Sequence, residues 1–140
     1  CGAMANPNKA KGTLHETRVV TFLREQLPES VKVFKPRQEG NADRGDVHIG
    51  EDFVIQCKDH GTWSKQSLYD WLDAAASQAH VANKPWPIVA IKRRRGRGST
   101  GRVADVVVSM SLETFSEIVY DLDAGRSASE ELDELRDAND

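Results

Sequence analysis

The sequence predicts an α/β fold with its elements in the order α-β-β-β-α-β-β-α, and three observations point to it. Apolar residues recur at helical spacing over 12–26, 65–83 and 111–122, and short Val- and Ile-rich runs fall between them. Two of those runs alternate apolar and polar residues on either side of Gly50-Glu51-Asp52, which reads as a hairpin. At 140 residues the chain suits one compact core rather than two.

The leading Cys1-Gly2-Ala3-Met4 is expected to be an added remnant before a start at Met4, and residues up to 11 to form a disordered basic arm ending in Lys11. From Gly12 to Gln26, Val19, Val20, Leu23 and Leu27 mark a first helix that Pro28 ends. Glu16 precedes Val19 and Val20 by three and four residues, so it falls on or beside the core-facing stripe, where a carboxylate needs a partner. Val31 to Lys35 is a short β-branched strand, followed by a polar loop from Arg37 to Gly45.

The hairpin pairs Asp46–Ile49 with Phe53–Lys58, and its three-residue loop sets Ile49 against Phe53, Val47 against Ile55 and Asp46 against Gln56. Strand alternation then gives Asp46, His48, Gln56 and Lys58 one face, and Val47, Ile49, Phe53, Ile55 and Cys57 the other. A two-residue loop would set Asp46 against Cys57 and break this agreement.

Residues 65 to 83 form an Ala-rich amphipathic helix with Leu68, Trp71, Leu72, Ala75, Ala79 and Ala82 on one side, and Pro85 and Pro87 frame its exit. Ile88–Lys92 and Val103–Ser109 read as two strands joined by a basic loop, with Asp105 an edge charge among valines. Ser111 caps a last helix with Leu112, Phe115, Ile118, Val119 and Leu122 inward. The folded domain is thus expected over 12–122, and an acidic tail over 123–140 that is at most a docked or nascent helix.

The net charge of −3 hides an asymmetry: residues 121 to 140 carry eight acidic and two basic side chains, so the remainder is basic. Lys92, Arg93, Arg94, Arg95 and Arg97 crowd six positions with Arg102 close behind, a density suited to polyphosphate contact. With the leading segment set aside only Cys57 remains, which excludes an intramolecular disulfide framework and fits a reducing compartment. No apolar run approaches a membrane span, so a cytoplasmic protein without membrane contact is expected.

Singly, Asp46 suits a loop end, Lys58 an exposed strand position and Glu16 a helix surface. Jointly they gather three ionisable groups and one amide beside an apolar hairpin. Phosphodiester cleavage needs a divalent ion and hard oxygen ligands. Asp46, the Gln56 amide oxygen, the Cys57 backbone carbonyl and Glu16 would supply them, and Lys58 would hold water or stabilise phosphate charge. His15, His48, His60 and His80 do not fall at metal-ligand spacing; His48 shares the site face. Trp63 is the better surface candidate for base stacking, Tyr69 a further one, and Trp71 the core residue.

A Glu-bearing helix, Gly45-Asp46 and Gln56-Cys57-Lys58 in this element order resemble the PD-(D/E)XK nuclease superfamily, and within it the small Holliday junction resolvases of archaea and phages. The resemblance spans roughly Gly12 to Ser109 and rests on spacing and element order together, because the motif residues are few. It implies a restriction-endonuclease-like core, a central mixed β-sheet flanked by helices.

Glu16 matches the first-helix glutamate, Asp46 the motif aspartate, Gln56 the position usually Asp or Glu, and Lys58 the lysine. Gly45 stands where the proline is usual, and Gln56 compensates less ionic charge than a carboxylate. Arg37 and Arg44, in a loop that is mobile in related resolvases, become phosphate clamps, and Gln78 takes the place of a helix glutamine that touches the site in RecB-like relatives, although a helix-surface amide is the plainer reading.

The implied function is a Mg²⁺-dependent endonuclease, with Mn²⁺ able to substitute, that resolves four-way DNA junctions as a symmetric homodimer in the cytoplasm of a bacterial or phage-infected cell. The helix over 65–83 or the C-terminal helix would supply the dimer surface. The competing readings are a restriction- or flap-type nuclease on the same fold, and a catalytically silent DNA-binding relative.

Overall fold

The computed structural model describes residues 7–38, 40, 42–96 and 98–139. Helix α1 spans Pro7–Gln26, so it begins at Pro7 rather than Gly12 and takes in Lys11. Proline is pre-organised for a first helical turn, and the Ala and Lys residues after it favour helix, which accounts for helix over residues 7–11 where a disordered arm is predicted, while residues 1–6 of that arm lie outside the described residues. Strands β1 (Val33–Phe34), β2 (Val47–Ile49) and β3 (Phe53–Lys58) follow, then α2 (Lys65–Ala82), β4 (Trp86–Ile91) and β5 (Val107–Ser109), and α3 (Leu112–Ala138). The element order is the predicted one.

The five strands form one open mixed sheet in the order β1-β2-β3-β4-β5. Neighbours pair antiparallel except β3 and β4, which run parallel across the α2 crossover. The hairpin register is as alternation requires, with Val47 opposite Ile55 and Ile49 opposite Phe53. One face packs Val33, Val47, Ile55, Ile88 and Ala90 against Val20 and Leu23 of α1 and Leu27 just after it. The other packs Val89 and Ile91 against Leu68, Trp71, Leu72 and Ala75 of α2. The apolar stripe of α2 therefore packs on the sheet. Ser64 caps α2 in a box with Ser67, and Asn83 ends it at φ 55°.

The single strand predicted over 103–109 is broken. Val103–Asp105 is a 3₁₀ turn and only Val107–Ser109 pairs with β4. Asp105 accepts from the Thr100 amide at 2.7 Å and from the Thr100 hydroxyl, so it closes the basic loop instead of serving as a charge within a strand. Those hydrogen bonds, hydroxyl first, hold its carboxyl below the ordinary value.

The chain falls into two compact units, one ending at Met110 and the other starting at Ser111. Helix α3 runs unbroken through the acidic segment to Ala138. Of Leu112, Phe115, Ile118, Val119 and Leu122, predicted to point inward, Ile118 is half-buried and the other four are exposed. Among the described residues no helix is long and apolar enough to cross a membrane.

Two histidines are buried, His15 with Nε2 3.3 Å from the Ala90 carbonyl and His48 with Nε2 2.6 Å from that of Arg44. Burial lowers both pKa values from 6.5. The unfolded chain then binds more protons in the acid range, so the stability of the neutral forms is complete above about pH 6.5 and is lost as pH falls toward the folded pKa values. His48→Gln, which keeps a donor for Arg44, is expected to flatten the fall in melting temperature between about pH 6.5 and pH 5; a variant with the wild-type slope would assign that fall elsewhere.

Candidate active site

Asp46 lies just before β2, where its amide donates to the Ile55 carbonyl at 3.0 Å. Its Oδ2 accepts from the Cys57 amide at 2.8 Å, which fixes the carboxylate at the Gln56–Lys58 end of β3. Burial raises the Asp46 pKa and Asp43 adds to the rise, while the Cys57 amide, Lys58 and His15 oppose it. Glu16 approaches from α1 and is half-buried. Burial raises its pKa first and the Asp46 charge second, while Lys35, 3.7 Å away, opposes both. Lys35 also donates to Thr17 at 2.9 Å and is the partner the Glu16 carboxylate needs.

Cys57 faces the α1 side, and burial, Asp46 and Glu16 in turn push its thiol far above the ordinary range. It stays a neutral thiol, leaving its backbone as the group available to a ligand. Lys58 lies with Nζ 5.7 Å from the Trp71 ring centroid and within electrostatic range of Asp46. The structure therefore brings Glu16, Asp46, Cys57 and Lys58 together at one end of β3.

Gln56 is buried on the face that α2 covers, and its amide oxygen has no hydrogen-bond partner among the described residues. A buried acceptor without a donor is costly unless a cation or water meets it. Asp46 and Glu16 offer the hard carboxylate oxygens a divalent ion takes, whereas the Gln56 amide oxygen lies on the α2 side of the sheet and the structure does not bring it together with them. Among the described residues no three His, Cys, Asp or Glu side chains gather as a metal-binding group. The predicted ligand set holds two such side chains, with an amide and a backbone carbonyl making up the rest.

Three residues beyond the predicted set shape this end of the sheet. Asp43 accepts from the Gly45 amide at 3.0 Å and from Gln78 at 2.9 Å, so Gln78 is a buried anchor of the loop rather than a helix-surface amide. The Asp43-x-Gly45 spacing of an Asx turn was its signal. Asp59, whose side chain is 4 % exposed, pairs with Lys92 at 3.7 Å and with Arg94 at 3.1 Å. Nothing in the local pattern marks it, because its partners lie beyond α2 and β4.

The basic residues divide. Arg37, Arg93, Arg95 and Arg102 are exposed, Lys11 is exposed on α1, and Arg44 and Lys92 are half-buried. Arg97 lies outside the described residues. Asp59 thus occupies two cations that the sequence assigns to DNA. Asp59→Asn is expected to release both and steepen the salt dependence of DNA binding, log K against log salt, by up to about 2, roughly 0.9 for each additional phosphate neutralised. An unchanged slope would show that Lys92 and Arg94 already reach DNA.

Compared with family models, with curated proteins and with solved structures, the chain matches none.

Proposed function

We propose that the chain is a Mg²⁺-dependent endodeoxyribonuclease of the PD-(D/E)XK kind that resolves four-way DNA junctions by paired phosphodiester hydrolysis. The observation that carries this reading is the placing of Asp46, held by the Cys57 amide at 2.8 Å at the Lys58 end of β3, with Glu16 of α1 near enough to feel its charge. Two half-buried carboxylates from separate elements lie close enough for the charge of one to raise the pKa of the other, beside Lys58.

Asp46, Glu16 and the Cys57 carbonyl would hold the ion. When bound, a divalent ion supplies charge that polarises a phosphodiester and acidifies a bound water. Lys58 keeps positive charge beside the reacting phosphate, and the Cys57 amide fixes the angle of Asp46. Arg37, Arg44 and the basic loop over 92–102 contact phosphates further along the strands. The mixed sheet and the element order agree with a restriction-endonuclease-like core. Paired cuts across a two-fold junction require a symmetric dimer, and the exposed Leu112, Phe115, Val119 and Leu122 of α3 suit its surface.

Gln56 favours a second reading, a DNA-binding protein that does not cut, since a neutral amide compensates less charge than a carboxylate. A substrate panel separates the readings. With Mg²⁺ the protein is expected to nick a labelled four-way junction at paired positions well above its rate on linear duplex or single strands. Equal cutting of linear duplex would indicate a restriction- or flap-type nuclease, and binding without cutting the silent relative.

A further inference from the structure

Immediately after Lys58 the chain turns through Asp59, His60 and Gly61, and these residues line a cavity of about 360 Å³ with Lys58, Lys11 of α1 and Arg94 of the basic loop. Three cations thus face one carboxylate, and that carboxylate is already shared between Arg94 and Lys92. The Arg94 guanidinium also lies against Gly61, where a Cβ would meet its Nε at 3.2 Å, so it is held on two sides. The result is a concave site with a surplus of positive charge next to the candidate active site, suited to a phosphate group.

His60, which lines the cavity, belongs to an aromatic cluster with Trp71 and Trp63. The His60 ring stacks on Trp71 with centroids 5.2 Å apart and planes at 29°. Trp63 leans on the same Trp71 ring at 5.8 Å. Trp71 is half-buried and backs the other two, whereas His60 is exposed and Trp63 is 44 % exposed. Paired bases in a duplex present their edges to a protein and keep their faces stacked. An exposed ring platform beside a phosphate site therefore suits a base that has left the stack.

We infer that the cavity and the aromatic cluster beside it bind an unstacked nucleotide of the DNA substrate, with its phosphate on Lys11 and Lys58 and its base on Trp63 and His60. This deepens the nuclease reading and rests on it for the identity of the strand. The site gives the protein a preference for DNA whose pairing is interrupted next to the cut, as at a branch point, and makes Trp63 a specificity-determining residue.

The test is binding of octathymidylate, d(T)8, to the full chain without divalent metal, followed by quenching of tryptophan fluorescence and by anisotropy of a labelled oligonucleotide. The wild type is expected to bind with quenching. Trp63→Ala is expected to bind roughly 5- to 150-fold more weakly, the range for one stacked base, and Trp63→Phe to keep most of the affinity. Lys11→Ala should lower the salt slope by about 0.7, the value for one phosphate contact with a single strand. Trp63 and Lys11 are exposed, so both variants are expected to fold, and circular dichroism checks it. Binding by Trp63→Ala at wild-type strength with an unchanged Lys11→Ala slope would overturn the site, even if the junction were still cut. Loss of d(T)8 binding in Trp63→Ala by a protein that never cuts DNA would sustain the site and remove the nuclease reading.

Discussion

Asp46→Asn is expected to reduce junction cleavage by more than about 100-fold while leaving the fold intact. Loss of groups that merely orient metal ligands already costs 10- to 100-fold in metal affinity or activity, and the proposed function makes Asp46 a ligand itself. The asparagine oxygen can still accept from the Cys57 amide, which Asp46 meets at 2.8 Å, so the local geometry has a substitute. Burial and Asp43 raise the Asp46 pKa, so its ionised form strains the metal-free fold at neutral pH. For a carboxyl raised in this way, stability is present at low pH and is lost as pH rises from the unfolded value through the folded one.

Removing that charge should therefore keep or raise the melting temperature without metal. Mg²⁺ should stabilise the wild type by about 2.7 kcal/mol at a concentration 100 times its dissociation constant, and should fail to stabilise Asp46→Asn. The Mg²⁺ effect should also grow from pH 5 to pH 7.5, because a raised carboxyl must release its proton to bind the ion. A variant that cuts at the wild-type rate, or responds to Mg²⁺ as the wild type does, would remove Asp46 from the site.

Gly45→Pro, which would install the proline usual at this position in the superfamily the sequence resembles, is expected to destabilise the fold by about 3 kcal/mol or more. Gly45 has φ 90°, where proline cannot go, and its amide donates to Asp43 at 3.0 Å. An added Cβ would also lie 2.5 Å from Cγ1 of Val54, which is fully buried. Gly45→Ala shares the strain and the clash but keeps the amide, and should cost about 1–3 kcal/mol. Denaturant titration measures both; a proline variant as stable as the wild type would mean that the loop before Asp46 has another conformation of comparable energy. Given total stabilities of about 5–15 kcal/mol, the proline change consumes much of the margin. The glycine is thus the solution this chain uses to bring Asp46 past Val54, and not an interchangeable replacement.

The central hairpin was legible because strand alternation and loop length constrain each other. Only a three-residue loop keeps Val47 against Ile55 and Ile49 against Phe53, and that is the observed register, although Asp46 lies outside β2 with its amide on the Ile55 carbonyl rather than paired with Gln56. Glu16 was legible as a carboxylate beside a core stripe, but Lys35 as its partner was not, since the contact depends on how α1 crosses the sheet. Asp59 and Gln78 were missed for the same reason: their partners are 35 residues or so away in sequence, at Arg94 and Asp43.

The helix over 111–122 shows the limit of amphipathicity. The pattern reports that an apolar stripe exists and says nothing of what covers it, and Phe115 and Val119 are exposed. Asp105 misled in the opposite direction, because a polar residue among valines fits an edge strand as readily as a turn anchored on Thr100.

The most direct test of hydrolysis at the Asp46–Lys58 end of β3 is incubation of the wild-type chain with a strand-labelled four-way junction, with Mg²⁺ or with a chelator, beside Asp46→Asn. The expected result is symmetric paired nicks that need the metal and disappear in the variant. A junction that is bound yet uncut by the wild type under every metal condition would contradict it.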